Sequence, residues 1–171
     1  MTEKLTLTVA QRLNLILQYR ILELLDPENR EHHQQAQTIL KNGYTLSYRE
    51  LTRNLQEELP IEVCQDILDI LEMYEAILDS KEHLGDPLPE GRLLFPGFSE
   101  ADESHLAAYA AHVVDVKKRF SSVKQGQKKA NFAGRIPMMD QYRLMLEKFR
   151  QVPFSERPRM SRAVLDDLLN S

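Results

Sequence analysis

Apolar residues recur every three or four positions along most of this chain, a spacing that predicts helices almost throughout. The first is "VAQRLNLILQYRILELL", opened by Thr8 and Gln11 at the spacing of a capping box. Asp26 and Pro27 read as the N-cap and first residue of "PENREHHQQAQTILKN", which Gly43 closes. In "LSYRELTRNL", Ser47 and Glu50 repeat the capping spacing. Pro60 suits the first turn of a helix reaching about Leu84, and Ser99 with Asp102 opens one reaching about Val123. Pro137 starts another and Ser161 a last short one, so the expectation is an all-α, multi-helix bundle of about seven helices.

Two pieces read otherwise. "KLTLT" alternates Leu5 and Leu7 with polar residues, and "RLLF" from Arg92 to Phe95 is a short apolar run, so the two are expected to pair as at most a minor β ribbon. Between Gly85 and Gly97, "GDPLPEGRLLFPG" holds three of the eight prolines and three of the six glycines, which stops both flanking helices. The expected division is therefore an N-terminal helical half, 1–86, and a C-terminal one, 87–171, free to pack as one unit.

The registers state what each helix needs. After Pro60, Val63, Ile67, Ile70, Tyr74 and Ile77 step by fours and threes, a continuous seam for a neighbour. The first helix carries one stripe through Val9, Leu13, Leu17 and Leu24, and another through Leu15, Tyr19 and Leu22 on a different side. A helix with two apolar sides needs two neighbours. Symmetric self-association is the commonest way to cover the second, and Leu15, Tyr19 and Leu22 are taken as the candidates.

Charge is unevenly spread. Between Arg53 and Lys81 every charged residue is acidic: Glu57, Glu58, Glu62, Asp66, Asp69, Glu72, Glu75 and Asp79. From His112 to Arg162 the balance is strongly basic, although the chain as a whole carries a net charge of −4. The favoured reading packs the basic half against the acidic half, within or between chains. The alternative is a polyanion site in "KKRFSSVKQGQKKANFAGR", where Lys117, Lys118, Arg119, Lys124, Lys128, Lys129 and Arg135 surround Phe120 and Phe132. Phe120 also continues the register Leu106, Tyr109, Val113, Val116, which assigns it to the core.

A short capped helix before Pro60 and a longer one after it raise the question of a DNA-reading helix pair. The second helix answers it. Glu62, Asp66, Asp69 and Glu72 would face the phosphates of the major groove, which would repel them.

Local motifs for catalysis are sparse. His105, Tyr109 and His112 share a face with Asp102 and Asp115, but His105 and His112 lie two turns, about 10 Å, apart, too far for one ion without ligands from elsewhere. Glu28, Glu31, His32 and His33 read as a solvated surface. Cys64, the single cysteine, excludes an intramolecular disulfide and reads as a buried thiol beside the seam. Neither GxGxxG nor GxxxxGK nor GxSxG occurs. No catalytic residue, cofactor or metal is therefore assigned.

At 171 residues, 42% hydrophobic and 28% charged, the chain has the composition of a soluble globular protein, long enough for a real core. The N-terminus "MTEKLTLTVAQ" lacks the apolar centre of a signal peptide, and no apolar run approaches the roughly 20 residues of a membrane span. The expectation is a cytoplasmic protein with no membrane partner.

The stretches "AQRLNLILQYRILELLDP", "QTILKNGY", "DILDILEMYEAI", "FPGFSEADESHLAAY" and "PMMDQYRLMLEKFR" resemble the YfbU family of uncharacterised bacterial proteins, over nearly the whole chain. "DILEMYEAI" and the passage from "LDP" to "NGY" are the most specific. The resemblance implies an all-helical, self-associating protein of the bacterial cytoplasm and carries over no activity, cofactor or catalytic residue. The loop from Lys124 to Arg135 departs from the family pattern. The resulting expectation is a homo-oligomer acting through protein contacts, using the two-sided first helix and the acidic helix, with a nucleic-acid-associated regulator as the alternative.

Overall fold

The computed structural model describes residues 5–84, 93–126 and 132–170. The chain forms two compact units, Met1–Glu58 and Leu59–Ser171. The division thus falls before Pro60, and the glycine- and proline-rich stretch lies inside the second unit rather than between two halves at 86 and 87. The physical reason is the helix after Pro60, whose seam is filled by C-terminal elements.

The first unit is a helical hairpin with a short appendage. Helix α1, Val9–Leu25, opens with the expected capping box: the Thr8 hydroxyl accepts from Gln11 N and the Gln11 side chain accepts from Thr8 N. The next helix does not start at Pro27. Residues Pro27–Asn29 form a single 3₁₀ turn, and α2 spans Arg30–Asn42. Gly43 ends it in the left-handed conformation at φ +67°, as a glycine after a helix commonly does. Glu23 accepts from Gln34 at 2.7 Å and from Gln37 at 2.9 Å, tying α1 to α2, and these bonds hold its carboxyl below the usual value. A second 3₁₀ turn, Thr45–Ser47, leads into α3, Tyr48–Thr52. Ser47 makes no capping bond there, because the 3₁₀ turn already places it in helical backbone, where its hydroxyl cannot reach the next N–H groups.

The core of this unit is thin. Ala36, Ile39, Leu40 and Tyr48 are buried, while Leu7, Leu15, Ile16, Tyr19 and Leu51 are only partly covered. Leu5 and Leu7 lie outside any strand.

The second unit is built round α4, Ile61–His83. Its expected seam is confirmed, with Ile67, Ile70, Tyr74 and Ile77 buried and Val63 partly so, and Leu71, Met73, Ala76 and Ser80 join them. A helix buried over this much of its circumference serves as an axle. The Ser80 hydroxyl donates to Ala76 O at 2.7 Å and accepts from Met160 N at 2.9 Å, fastening the 3₁₀ turn Arg157–Arg159 to α4.

Strands β1, Phe98–Ser99, and β2, Ala133–Gly134, pair in parallel, Phe98 opposite Ala133 and Ser99 opposite Gly134. The small ribbon is therefore made by other residues than expected, since Leu93 and Phe95 are drawn into the core and Arg92 lies outside the described residues. Gly97, at φ +85°, admits no side chain: a Cβ would stand 2.3 Å from Phe132 O. At Gly43 the nearest atom is the mobile end of Arg12 at 2.6 Å. Gly97→Ala is accordingly expected to cost about 3 kcal/mol or more and Gly43→Ala about 1–2 kcal/mol, read as the difference between two urea unfolding curves.

The helix expected from Ser99 to Val123 is broken into pieces. Ser99 and Asp102 bond to each other in a turn ahead of the helix and do not cap it: α5 spans Ser104–Ala111 with Glu103 at its N-cap, widens into a π turn at His112–Val116, and stops. Lys118 and Phe120 take positive φ, and α6 follows at Ser121–Gly126. The widened turn places Val113 and Val114 inward and Val116 outward, and the reversal inserts Phe120 into the core. Helix α7, Met139–Phe149, and α8, Arg162–Leu169, complete eight helices among the described residues, with Ser161 capping α8 as expected. The buried Glu103 carboxylate accepts from Met138 N and Met139 N at 2.9 Å and from Ser99 N at 3.0 Å, so it caps α7 from across the fold.

Candidate interaction surface

Helix α1 fixes its own two faces. Leu15, Ile16 and Tyr19 lie towards α2 and pack against Ile39, Leu40 and Tyr48. Half a turn round, Val9, Leu13, Leu17, Ile21, Leu24 and Leu25 are each between 50% and 76% exposed. None of the 17 residues of α1 is buried. Both apolar sides are present on this helix, and the side through Leu15 and Tyr19 is the one turned inward. Leu15 and Tyr19, named for self-association, are occupied by α2, and Leu22 sits at the margin, 42% exposed. Spacing alone could not say which stripe faces inward, because both are long enough to cover a neighbour. Ile21 and Leu25 extend the open stripe and were missed, although each continues its four-residue step.

That open face is large. Its six apolar side chains adjoin along one side of the helix, and a contiguous exposed apolar patch of this kind marks a contact surface.

The polyanion segment is described in part. Lys117, Lys118, Arg119, Lys124 and Arg135 are exposed, while Lys128 and Lys129 lie outside the described residues. Phe120 and Phe132 are buried, so neither ring offers a face to a base. Arg119 folds over Phe120, 4.8 Å from its ring centre, and Lys124 pairs with Asp115 at 2.7 Å.

The acidic helix is engaged as well. Arg143 on α7 meets Asp66 at 3.0 Å, Arg150 meets Asp69 at 2.9 Å, and Arg157 reaches Glu72 at 3.6 Å while lying over Phe149. Among the described residues the basic part of the chain thus pairs with the acidic part within one molecule, through Arg143 and Arg150 of α7 and through Arg157. These pairs are half-exposed and contribute about 0–1 kcal/mol each, so they set the register of α7 on α4 more than they stabilise it. Asp66, Asp69 and Glu72 of α4 are thus paired within the molecule.

His33 is buried, not solvated: its Nε2 lies 3.2 Å from Asp26 Oδ2 and its ring packs near Tyr19. The Asp26 carboxyl is held below its usual value by Asn29 first and His33 second. His112 is exposed and stacks on Tyr109, and His105 is exposed. Cys64 is half-buried rather than buried, its thiol directed to Leu59 O at 3.8 Å. Among the described residues no group of three His, Cys, Asp or Glu side chains could hold a metal ion. A shallow groove of about 380 Å³ between Val152, Pro153 and Val164 is crossed by the Lys148 to Asp167 ion pair at 2.8 Å. A second of about 170 Å³, near His32, Ile39 and Glu50, is smaller than an ordinary metabolite pocket. Among the described residues no helix is long and apolar enough to cross a membrane.

A family model for the YfbU domain matches residues 5–170, and the chain belongs to that family.

Proposed function

We propose that this YfbU-domain chain works in the bacterial cytoplasm through contact between protein molecules, assembling with itself through the open face of α1. The single observation that carries the proposal is the apolar stripe from Val9 to Leu25 left uncovered on a helix without one buried residue. The thin core of the first unit supports it. A hairpin of this size is marginal alone, and burying a second face of α1 supplies the missing apolar area. Two hairpins joined through α1 would make a four-helix arrangement, a common way to close such a surface.

The test is light scattering at micromolar concentration. The protein is expected to run as a dimer or larger, and Leu17→Glu to weaken that assembly at least 100-fold while helical content stays unchanged, because a carboxylate would be desolvated at the centre of the face. A wild-type monomer, at low and high salt alike, would sink the proposal.

A nucleic-acid role is the second reading, supported by the exposed Lys117, Lys118 and Arg135. Retardation of mixed DNA or RNA that disappears steeply with added salt, and with Lys117→Glu, would favour it instead.

A further inference from the structure

The open stripe on α1 has a symmetry of its own. Val9, Leu13, Leu17, Ile21 and Leu25 follow one another at intervals of four, so the pattern is the same read in either direction about Leu17. Turned end for end, the helix lays Leu13 beside Ile21 and Leu17 beside Leu17. A pattern with that property matches itself in an isologous contact, where the same patch serves both partners.

The interval sets the packing angle. Steps of four drift about 40° round the helix, so the stripe follows an oblique ridge rather than the nearly axial seam of a coiled coil. Two such ridges align when the helix axes are inclined by about 50°. Antiparallel pairing also sets the positive N-terminal end of each α1 near the negative C-terminal end of the other, whereas a parallel pair would bring like ends together. The charge on the open side is compatible: Arg20 is the one charged residue beside the stripe, and end-for-end pairing separates it along the axis from its own copy by about six residues' rise, roughly 9 Å.

From these features we infer that the occupant of this face is α1 of a second copy, antiparallel, on a two-fold axis passing through Leu17. The inference rests on the self-association proposed above and adds its partner, direction and register.

Single cysteines in a Cys64→Ser background test it. Leu17→Cys is expected to form a disulfide-linked dimer under mild oxidation. An equimolar mixture of Leu13→Cys and Ile21→Cys chains, made distinguishable by mass, is expected to give at least ten-fold more mixed dimer than either like pair. Leu13→Glu and Ile21→Lys provide a second measurement free of cross-linking. Each alone should dissociate the dimer, and the two combined in one chain should restore it, because each new charge then meets its opposite on the partner. If like pairs dominate and the double variant stays dissociated, the helices are parallel and the inference falls while self-association stands. A wild-type dimer that cross-links at none of the three positions places the interface elsewhere and overturns it too. A wild-type monomer removes both readings at once.

Discussion

Replacing Glu103 with alanine is expected to lower the unfolding free energy of the second unit by about 3–5 kcal/mol, one of the two largest single-residue effects foreseen in this chain. Its carboxylate, 7% exposed, accepts from the backbone N–H groups of Ser99, Met138 and Met139. Truncation strands all three donors at once. Two of them open α7, where the helix dipole favours an acceptor carrying negative charge. Glu103→Gln keeps one acceptor oxygen but turns an amide NH₂ towards the other donors, so a loss of about half that size is expected. Urea unfolding followed by circular dichroism reads both variants. A loss below about 1 kcal/mol for Glu103→Ala would mean that water replaces the carboxylate without penalty, and the capping role would be refuted.

Tyr142→Ala is expected to cost a similar 3–5 kcal/mol for a different reason. Tyr142 is fully buried, its ring 5.5 Å from those of Phe95 and Phe98 and 5.8 Å from that of Tyr74, and its hydroxyl donates to Gly97 O at 2.7 Å. This cluster joins α4, α7 and β1. Removing the ring leaves a cavity bounded by elements that cannot all collapse into it. Tyr142→Phe keeps the ring and removes one hydrogen bond, for an expected loss of about 1 kcal/mol. The gap between the two variants separates packing from polar contribution, and equal losses would show that the hydroxyl rather than the ring holds the site together.

Much of the fold was legible in the order of residues. The Thr8 capping box, the Gly43 stop, the Ser161 cap and the seam from Val63 to Ile77 all depend on neighbours within one or two turns, and each is found where its spacing places it. The failures share a cause. The break after Ala111 and the positive φ at Lys118 and Phe120 are local departures from helix that only burial of Phe120 compensates. Ser47 and Pro27 lose their expected places to 3₁₀ turns by the same competition between local preference and packing.

For the candidate surface, sequence by itself determined that α1 has two apolar sides, that acids and bases are segregated along the chain, and that Phe120 belongs with the core register. Periodicity is a one-dimensional quantity and carries that information completely. Tertiary structure decided the rest: that α2 takes Leu15 and Tyr19 and leaves the stripe through Leu17 open, that α7 pairs with Asp66 and Asp69 of α4, and that Glu103 serves a helix which begins 36 residues away from it. Those outcomes depend on which surfaces meet across long loops, where contact free energies from distant residues compete, and no spacing within one helix records the winner.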